Sequence, residues 1–167
     1  QGATAFNQDI SMWDVSNVFN MSGMFFEATS FNRDISNWDV SSVVSFEFMF
    51  ARSNFNQPLN NWDTSSAGYM EAVFLENTAF NQPLDKWDTS GVIQFNGMFS
   101  RSNFNQPLND WDMSSAESLE GMFFENTAFN QPLDKWDVSN VTTFEGVFNT
   151  ATSFDQPLNN WNMSNAT

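Results

Sequence analysis

All seven tryptophans of this chain occupy one register of a short repeat, and this regularity constrains the fold more than any other feature. Successive tryptophans lie 24 or 25 residues apart. They are Trp13, Trp38, Trp62, Trp87, Trp111, Trp136 and Trp161. A repeat of this length cannot bury its apolar side chains alone, so neighbouring repeats must stack to build a shared core.

Phenylalanine follows the same period in two further registers. One phenylalanine precedes each tryptophan by seven positions, and another follows each of the first six tryptophans by twelve positions. The repeat reads F-N-Q-P-L-x-x-W-D-V-S-N-V-x-x-M-x-x-M-F, followed by four or five small or polar residues. A longer period is also present, because residues 55–103 match residues 104–152 as double units.

The pattern inside one repeat predicts one strand and one helix. In the second repeat Trp38 and Val40 alternate with Asp39, as in a strand with one buried face. Ser41 then precedes apolar residues at i, i+3 and i+7, which is typical of a capped helix. We therefore expect an α/β repeat solenoid, a right-handed leucine-rich-repeat-like coil with one short parallel strand and one short helix per 24–25 residues.

This expectation makes residues 1–167 a single solenoid domain of about seven repeats. The repeats start near residues 6, 31, 55, 80, 104, 129 and 154, and the first and last are incomplete.

Composition excludes many chemistries. The chain has no Cys and no His, which removes disulfides, thiolate nucleophiles, zinc–thiolate sites and histidine-based catalysis. Its 20 acidic and 5 basic residues give a net charge of −15, which argues against nucleic acid as a partner. No apolar stretch reaches the length of a membrane span, so we expect no direct membrane insertion. We expect no enzymatic activity and no cofactor, apart from a calcium ion considered below.

The repeats resemble a known family of surface proteins. The segments FNRDISNWDVSSV, FNQPLDKWDVSNVTTFEGVF and SNVFNMSGMFFEATSFN closely resemble the BspA-like repeat, which includes the mycoplasma-type lipoprotein repeat of unassigned function. The motifs W-D-[VTM]-S and [MV]-F recur along essentially the whole chain. The resemblance implies an extracellular, cell-surface array that is often associated with adhesion, and it implies no enzymatic activity.

A row of aspartates follows the tryptophans and is the candidate metal site. The candidate calcium ligands are Asp14, Asp39, Asp63, Asp88, Asp112 and Asp137, with Asn162 at the end of the row. On a sheet these carboxylates would face outward together and repel one another, and calcium would compensate their charge. The alternative is local: each Asp accepts hydrogen bonds from the backbone and from the Ser two residues later. We favour the local interpretation, because no glycine-rich calcium loop accompanies the row.

Other registers predict structural or binding roles. The tryptophan row could stack on glycans, but its strand face, shared with valine, favours a buried spine. The asparagines that follow the first phenylalanine of each repeat are expected to bond their equivalents in neighbouring repeats and so satisfy loop backbone. Glycosylation candidates are the sequon residues Asn20, Asn140, Asn162 and Asn165, and chance occurrence in an Asn- and Ser-rich chain explains them equally well.

The terminal repeats lack the polar capping face that stacked repeats normally carry. We expect either a segment of a longer array or head-to-tail stacking of copies into filaments. The predicted partners are the chain itself by end-to-end stacking, or other surface proteins and glycans. The predicted function is a non-enzymatic extracellular scaffold for cell-surface adhesion or structural assembly. The alternative is a calcium- or glycan-binding module that uses the aspartate row.

Overall fold

The computed structural model describes residues 2–167 as one continuous stack of repeats. Each repeat has two parts. The front segments run from the first phenylalanine of a repeat to two residues past its tryptophan and cover residues 6–15, 31–40, 55–64, 80–89, 104–113, 129–138 and 154–163. The arcs that follow cover residues 20–27, 45–52, 69–76, 94–101, 118–125 and 143–150. The chain thus carries seven front segments and six arcs.

The arcs are joined to one another by backbone hydrogen bonds that run along the stack. Single parallel bridges connect their first residues in the order Asn20, Ser45, Tyr69, Gln94, Ser118 and Thr143. Four further donors in each of the first five arcs bond carbonyls of the next arc. In the first arc, the N–H of Met21 donates to Ser45 O at 2.9 Å and that of Gly23 to Glu47 O at 2.8 Å.

The predicted α/β solenoid, with its leucine-rich-repeat-like strand and helix in every repeat, is wrong. Within residues 2–167 the only regular elements are the single-residue parallel bridges, and the chain is otherwise built of turns. No helix in this part of the chain could span a membrane. The expected helix does not form because its N–H groups bond the next arc instead of the carbonyl four residues back.

Backbone conformation explains why the arcs cannot be helical. Each arc has its fourth and eighth residues in the left-handed region, and these include Phe48 at a φ of 57° and Arg52 at 55°. Four of the six fourth positions are glycine, namely Gly23, Gly97, Gly121 and Gly146. Two left-handed residues in eight interrupt any right-handed helix and turn the intervening N–H groups toward the neighbouring repeat.

The aromatic registers form the core, as the sequence predicts. The phenylalanine before and the phenylalanine after each tryptophan pack against each other, with ring centroids 4.0 Å apart for Phe25 and Phe31. The same rings stack on their equivalents along the molecule, as between Phe50 and Phe74 at 5.7 Å. The interior members of both rows are fully buried. The core is therefore a continuous column of stacked rings and not a set of separate clusters.

Indole groups tie each front segment to the preceding one. The Nε1–H of Trp87 donates to Leu59 O at 2.9 Å, and that of Trp111 donates to Leu84 O at 2.9 Å. The same bond recurs from Trp38 to Trp161. Because the ring is buried while its polar atom is satisfied, tryptophan suits this position better than phenylalanine would.

Asparagines bond along the stack as expected, although through the backbone. Asn32 Oδ1 accepts the N–H of Asn56 at 2.9 Å, and the row continues in the same way to Asp155. These side chains satisfy N–H groups of a loop that makes no sheet.

The two-repeat period has a structural basis in buried polar pairs. Asn77 and Asn126 are fully buried in equivalent positions 49 residues apart, and each donates to a buried serine of the preceding repeat. On the surface, alternating Glu27, Arg52, Glu76, Arg101 and Glu125 form a ladder of ion pairs between 2.8 and 3.4 Å. The partner of each such residue lies one repeat away, so acidic or amide side chains must alternate with basic or hydroxyl ones.

Candidate functional site

The aspartate row lies at turns and not on a sheet. In the first four members Oδ1 accepts both the backbone N–H and the hydroxyl of the Ser two residues later, with hydroxyl distances of 2.6 Å. Asp112 and Asp137 accept the backbone N–H in the same way. The local interpretation of this row is therefore confirmed, and the expectation that it lies on a strand face is wrong.

Hydrogen bonding lowers the pKa of several carboxyls in this row. The hydroxyl and then the backbone N–H of the following serine lower the pKa of Asp14, Asp63, Asp112 and Asp137. Asp112 also faces the charge of Asp137, which opposes the lowering of its pKa. The row thus favours the ionised form without a bound cation.

The structure does not gather the six aspartates into a cluster. Among residues 2–167, no three acidic side chains converge as ligands for one ion. All six remain exposed, and each is held by its own turn. Calcium binding by Asp14, Asp39, Asp63, Asp88, Asp112 and Asp137 stays a prediction.

Acid is expected to destabilise the fold through these carboxyls. A carboxyl whose pKa is lower in the folded state stabilises the fold above its unfolded value, near 3.8 for Asp. That contribution is lost as the pH falls through the lower, folded pKa. Glu71 acts with the opposite sign, because burial, followed by the charges of Glu47 and Glu120, raises its pKa. We expect the melting temperature to peak at mildly acidic pH and to fall below about pH 4.

Calorimetric melting temperatures measured from pH 7 to pH 2 test this expectation. The control replaces Asp14, Asp63, Asp112 and Asp137 together by Asn, which keeps an acceptor oxygen but removes the titration. This variant should lose less stability between pH 4 and pH 2, in the order of pH values set by the aspartyl pKa. Equal acid sensitivity in both chains would show that the serine bonds contribute nothing.

The tryptophan row is buried, which confirms its predicted role as a spine. Trp38 to Trp136 are nearly inaccessible, whereas Trp13, at the first front segment, is 53% exposed. Trp161 at the other end is partly buried. Glycan stacking on the row would thus be confined to its ends.

The four sequon asparagines are exposed. The Nδ2 groups of Asn140 and Asn165 donate to carbonyls of the preceding repeat at 2.7 Å. Asn20 and Asn162 instead use Oδ1, to accept the N–H of the serine two residues later. Their Nδ2 groups are thus the freer attachment points, and glycosylation stays a prediction.

A second surface was not found by the sequence analysis. The third residues of the arcs, Glu47, Glu71, Asn96, Glu120 and Glu145, form an acidic row, four of which line a groove of about 480 Å³. Asn96 Oδ1 is buried without a hydrogen-bond partner among residues 2–167. The signal was available, because these residues recur every 24 or 25 positions, but the helix prediction placed them on an irregular helical surface.

The two ends of the stack expose apolar grooves. The groove at the first repeat has a volume of about 660 Å³, and Trp13, Val15, Met21 and Met24 line it. The groove at the last repeat has a volume of about 320 Å³. Its lining residues Trp161, Met163, Phe144 and Val147 occupy the equivalent repeat positions. The two ends therefore present the two sides of the contact that joins repeats throughout the interior.

Comparison with known proteins identifies the family. The family model described as "Mycoplasma protein of unknown function, DUF285" matches residues 1–84, 46–117 and 69–167, which together span the chain. No curated protein and no solved structure matches it. The periodic core and the family match agree on a repeat protein, and the chain belongs to the DUF285 family of mycoplasma proteins of unknown function.

Proposed function

We propose that this repeat protein is a non-enzymatic extracellular scaffold for cell-surface adhesion or structural assembly, and that copies associate end to end into filaments. The observation that carries the proposal is the correspondence of the two end grooves, which are lined by the same repeat positions. Exposed apolar surface of this kind is typical of an interaction site. Two unlike faces on one molecule form a head-to-tail contact, which propagates when it does not close.

The absence of a unique polar constellation supports a structural role. The polar side chains of the described repeats recur in rows, whereas catalysis needs one constellation with separated pKa values. The extracellular location and adhesive role rest on the resemblance of the repeats to BspA-like surface proteins. The exposed Asn20 and Asn162 suit a glycosylated surface protein.

Filament formation is tested by sedimentation velocity and negative-stain electron microscopy over a range of protein and salt concentrations. We expect unbranched filaments that lengthen as salt increases, because each copy carries a net charge of −15 and salt screens the repulsion. A monodisperse monomer under all these conditions would exclude the assembly.

A matched pair of variants tests whether the ends mediate association. Trp13→Glu places a charge in the end groove, while Val44→Glu places the same charge on the side of the stack, where Val44 is 40% exposed. We expect Trp13→Glu to abolish filaments and Val44→Glu to leave them intact. The same loss in both variants would point to charge alone and against the end faces.

The alternative function is calcium or glycan binding at the aspartate row. Each carboxylate already accepts hydrogen bonds from its own serine, which competes with a cation for the same oxygen. Calorimetric titration with calcium and a glycan array in the presence and absence of calcium test this alternative. Heat of binding that disappears in the variant with Asn at Asp14, Asp63, Asp112 and Asp137 would favour it over the scaffold.

A further inference from the structure

The front segments at the two ends carry complementary, unmatched hydrogen-bonding groups. In the interior, every tryptophan Nε1–H has an acceptor in the preceding front segment. Among residues 2–167, Trp13 Nε1 has no acceptor, and the O atom of Leu158, which holds the acceptor position, receives no indole. Likewise the N–H of Asn7 has no partner there, while the Asp155 side chain stands where asparagines accept such N–H groups elsewhere.

Apolar groups at the same ends are also incomplete. Phe6 stacks on Phe31 at 5.7 Å, and Phe154 stacks on Phe129 at 6.0 Å, so each ring has one occupied face. Trp13 and Trp161 likewise stack on one indole each, at 6.5 and 6.0 Å. A front segment that approached from outside would extend both rows with the spacing already present in the interior.

We propose that a second copy places its first front segment, residues 6–15, directly on the last front segment of the first copy, residues 154–163. Trp13 Nε1–H of the second copy then donates to Leu158 O of the first, and the Asn7 N–H donates to Asp155 Oδ1. This inference rests on the proposed end-to-end assembly and specifies its partner and register. The interface continues the repeat contact that the molecule already uses six times between its seven front segments.

The register has a consequence for the arcs. The chain has seven front segments but six arcs, so contact between front segments leaves the last arc and the first arc of the next copy two layers apart. Adjacent layers joined by parallel bridges lie about 4.8 Å apart, and the arcs across the junction would lie at about twice that distance. The N–H groups of Phe144, Gly146 and Phe148, unpaired within residues 2–167, face this opening.

Engineered cysteine pairs test this register, because the chain contains no cysteine of its own. Met12 and Asn160 are exposed residues that precede the tryptophan in the first and last front segments. Under a mild oxidant, Met12→Cys combined with Asn160→Cys should form disulfide-linked multimers, since a disulfide needs Cα atoms roughly 4.4 to 6.8 Å apart. Each single-cysteine variant controls for symmetric contacts and should yield dimers at most.

A second pair at equivalent arc positions provides the matched control. Ser22→Cys combined with Glu145→Cys joins the third residues of the first and last arcs, which the proposed register keeps two layers apart. We expect at least a tenfold lower yield of linked multimers than for the front pair. Thermal melting confirms that both variants are folded.

The outcomes separate the register from the assembly itself. Efficient linking of the arc pair, or filaments without linking of the front pair, would overturn the proposed register while the end-to-end assembly stands. A wild-type chain that stays monomeric would overturn both. Linking of the front pair alone supports both.

Discussion

Trp87→Ala is expected to lower the free energy of unfolding by about 3–5 kcal/mol, one of the two largest losses that a single substitution should cause in this chain. Trp87 is 4% exposed, and its ring stacks on Trp111 with centroids 6.4 Å apart and planes 1° apart. Its removal leaves a cavity beside Phe74 and takes away the donor that satisfies Leu59 O. Both the apolar contacts and a buried hydrogen bond are lost.

Trp13→Ala provides the matched control for this substitution. Trp13 has the same position in the repeat, but it is 53% exposed and stacks on one indole. We expect a loss below about 1 kcal/mol, measured at low protein concentration, where copies do not associate. Urea unfolding followed by the fluorescence of the remaining tryptophans measures both variants. Similar losses in the two would contradict the interpretation of the row as a core spine that ends in an exposed face.

Asn77→Ala is expected to cost a similar amount, about 3–5 kcal/mol, by a different mechanism. Asn77 is completely buried. Its Nδ2 group donates to Phe50 O, Ser53 Oγ and Phe55 O at 3.2–3.4 Å. Its Oδ1 accepts the N–H groups of Ala79 and Phe80 at 3.0 Å. Alanine would leave these groups unpaired in a dry interior, because no other side chain reaches them.

Two further substitutions make this prediction specific. Asn126→Ala removes the equivalent residue 49 positions later, with the same set of partners, and should cost as much as Asn77→Ala. Asn103→Ala removes an exposed asparagine with one bond to Thr78 O at 2.9 Å and should cost below about 1 kcal/mol. Equal losses at Asn77 and Asn103 would show that the buried network adds nothing to stability.

The candidate surfaces could be predicted from the sequence in part. The aspartate row was found from its period, and the serine two residues later pointed to the local hydrogen bonds that the structure contains. The acidic row of the arcs was missed, because a helix would rotate Glu71 and Glu120 away from a common face within each repeat. Stacked arcs instead bring equivalent residues together at every layer, whatever the local backbone conformation.

The hydrogen-bonding pattern of the arcs was the main error of prediction. Apolar residues such as Val43, Phe46 and Phe50 follow a helical spacing, and all three are buried. An arc that turns once per few residues buries the same positions while its N–H groups bond a neighbouring repeat. Glycine recurs at the fourth arc position in four of six repeats, and this register was the available signal for left-handed backbone.

The sequence alone determined the repeat length, the aromatic core and the stacking of equivalent residues, because a translational repeat makes each buried position meet its own copy in the next layer. Only the tertiary structure decided the secondary structure of a repeat. Each arc N–H can bond either within its own segment or to the next layer, and the side-chain pattern of one repeat is nearly the same in both cases. The choice depends on left-handed residues and on neighbouring carbonyls that exist only once the repeats are stacked.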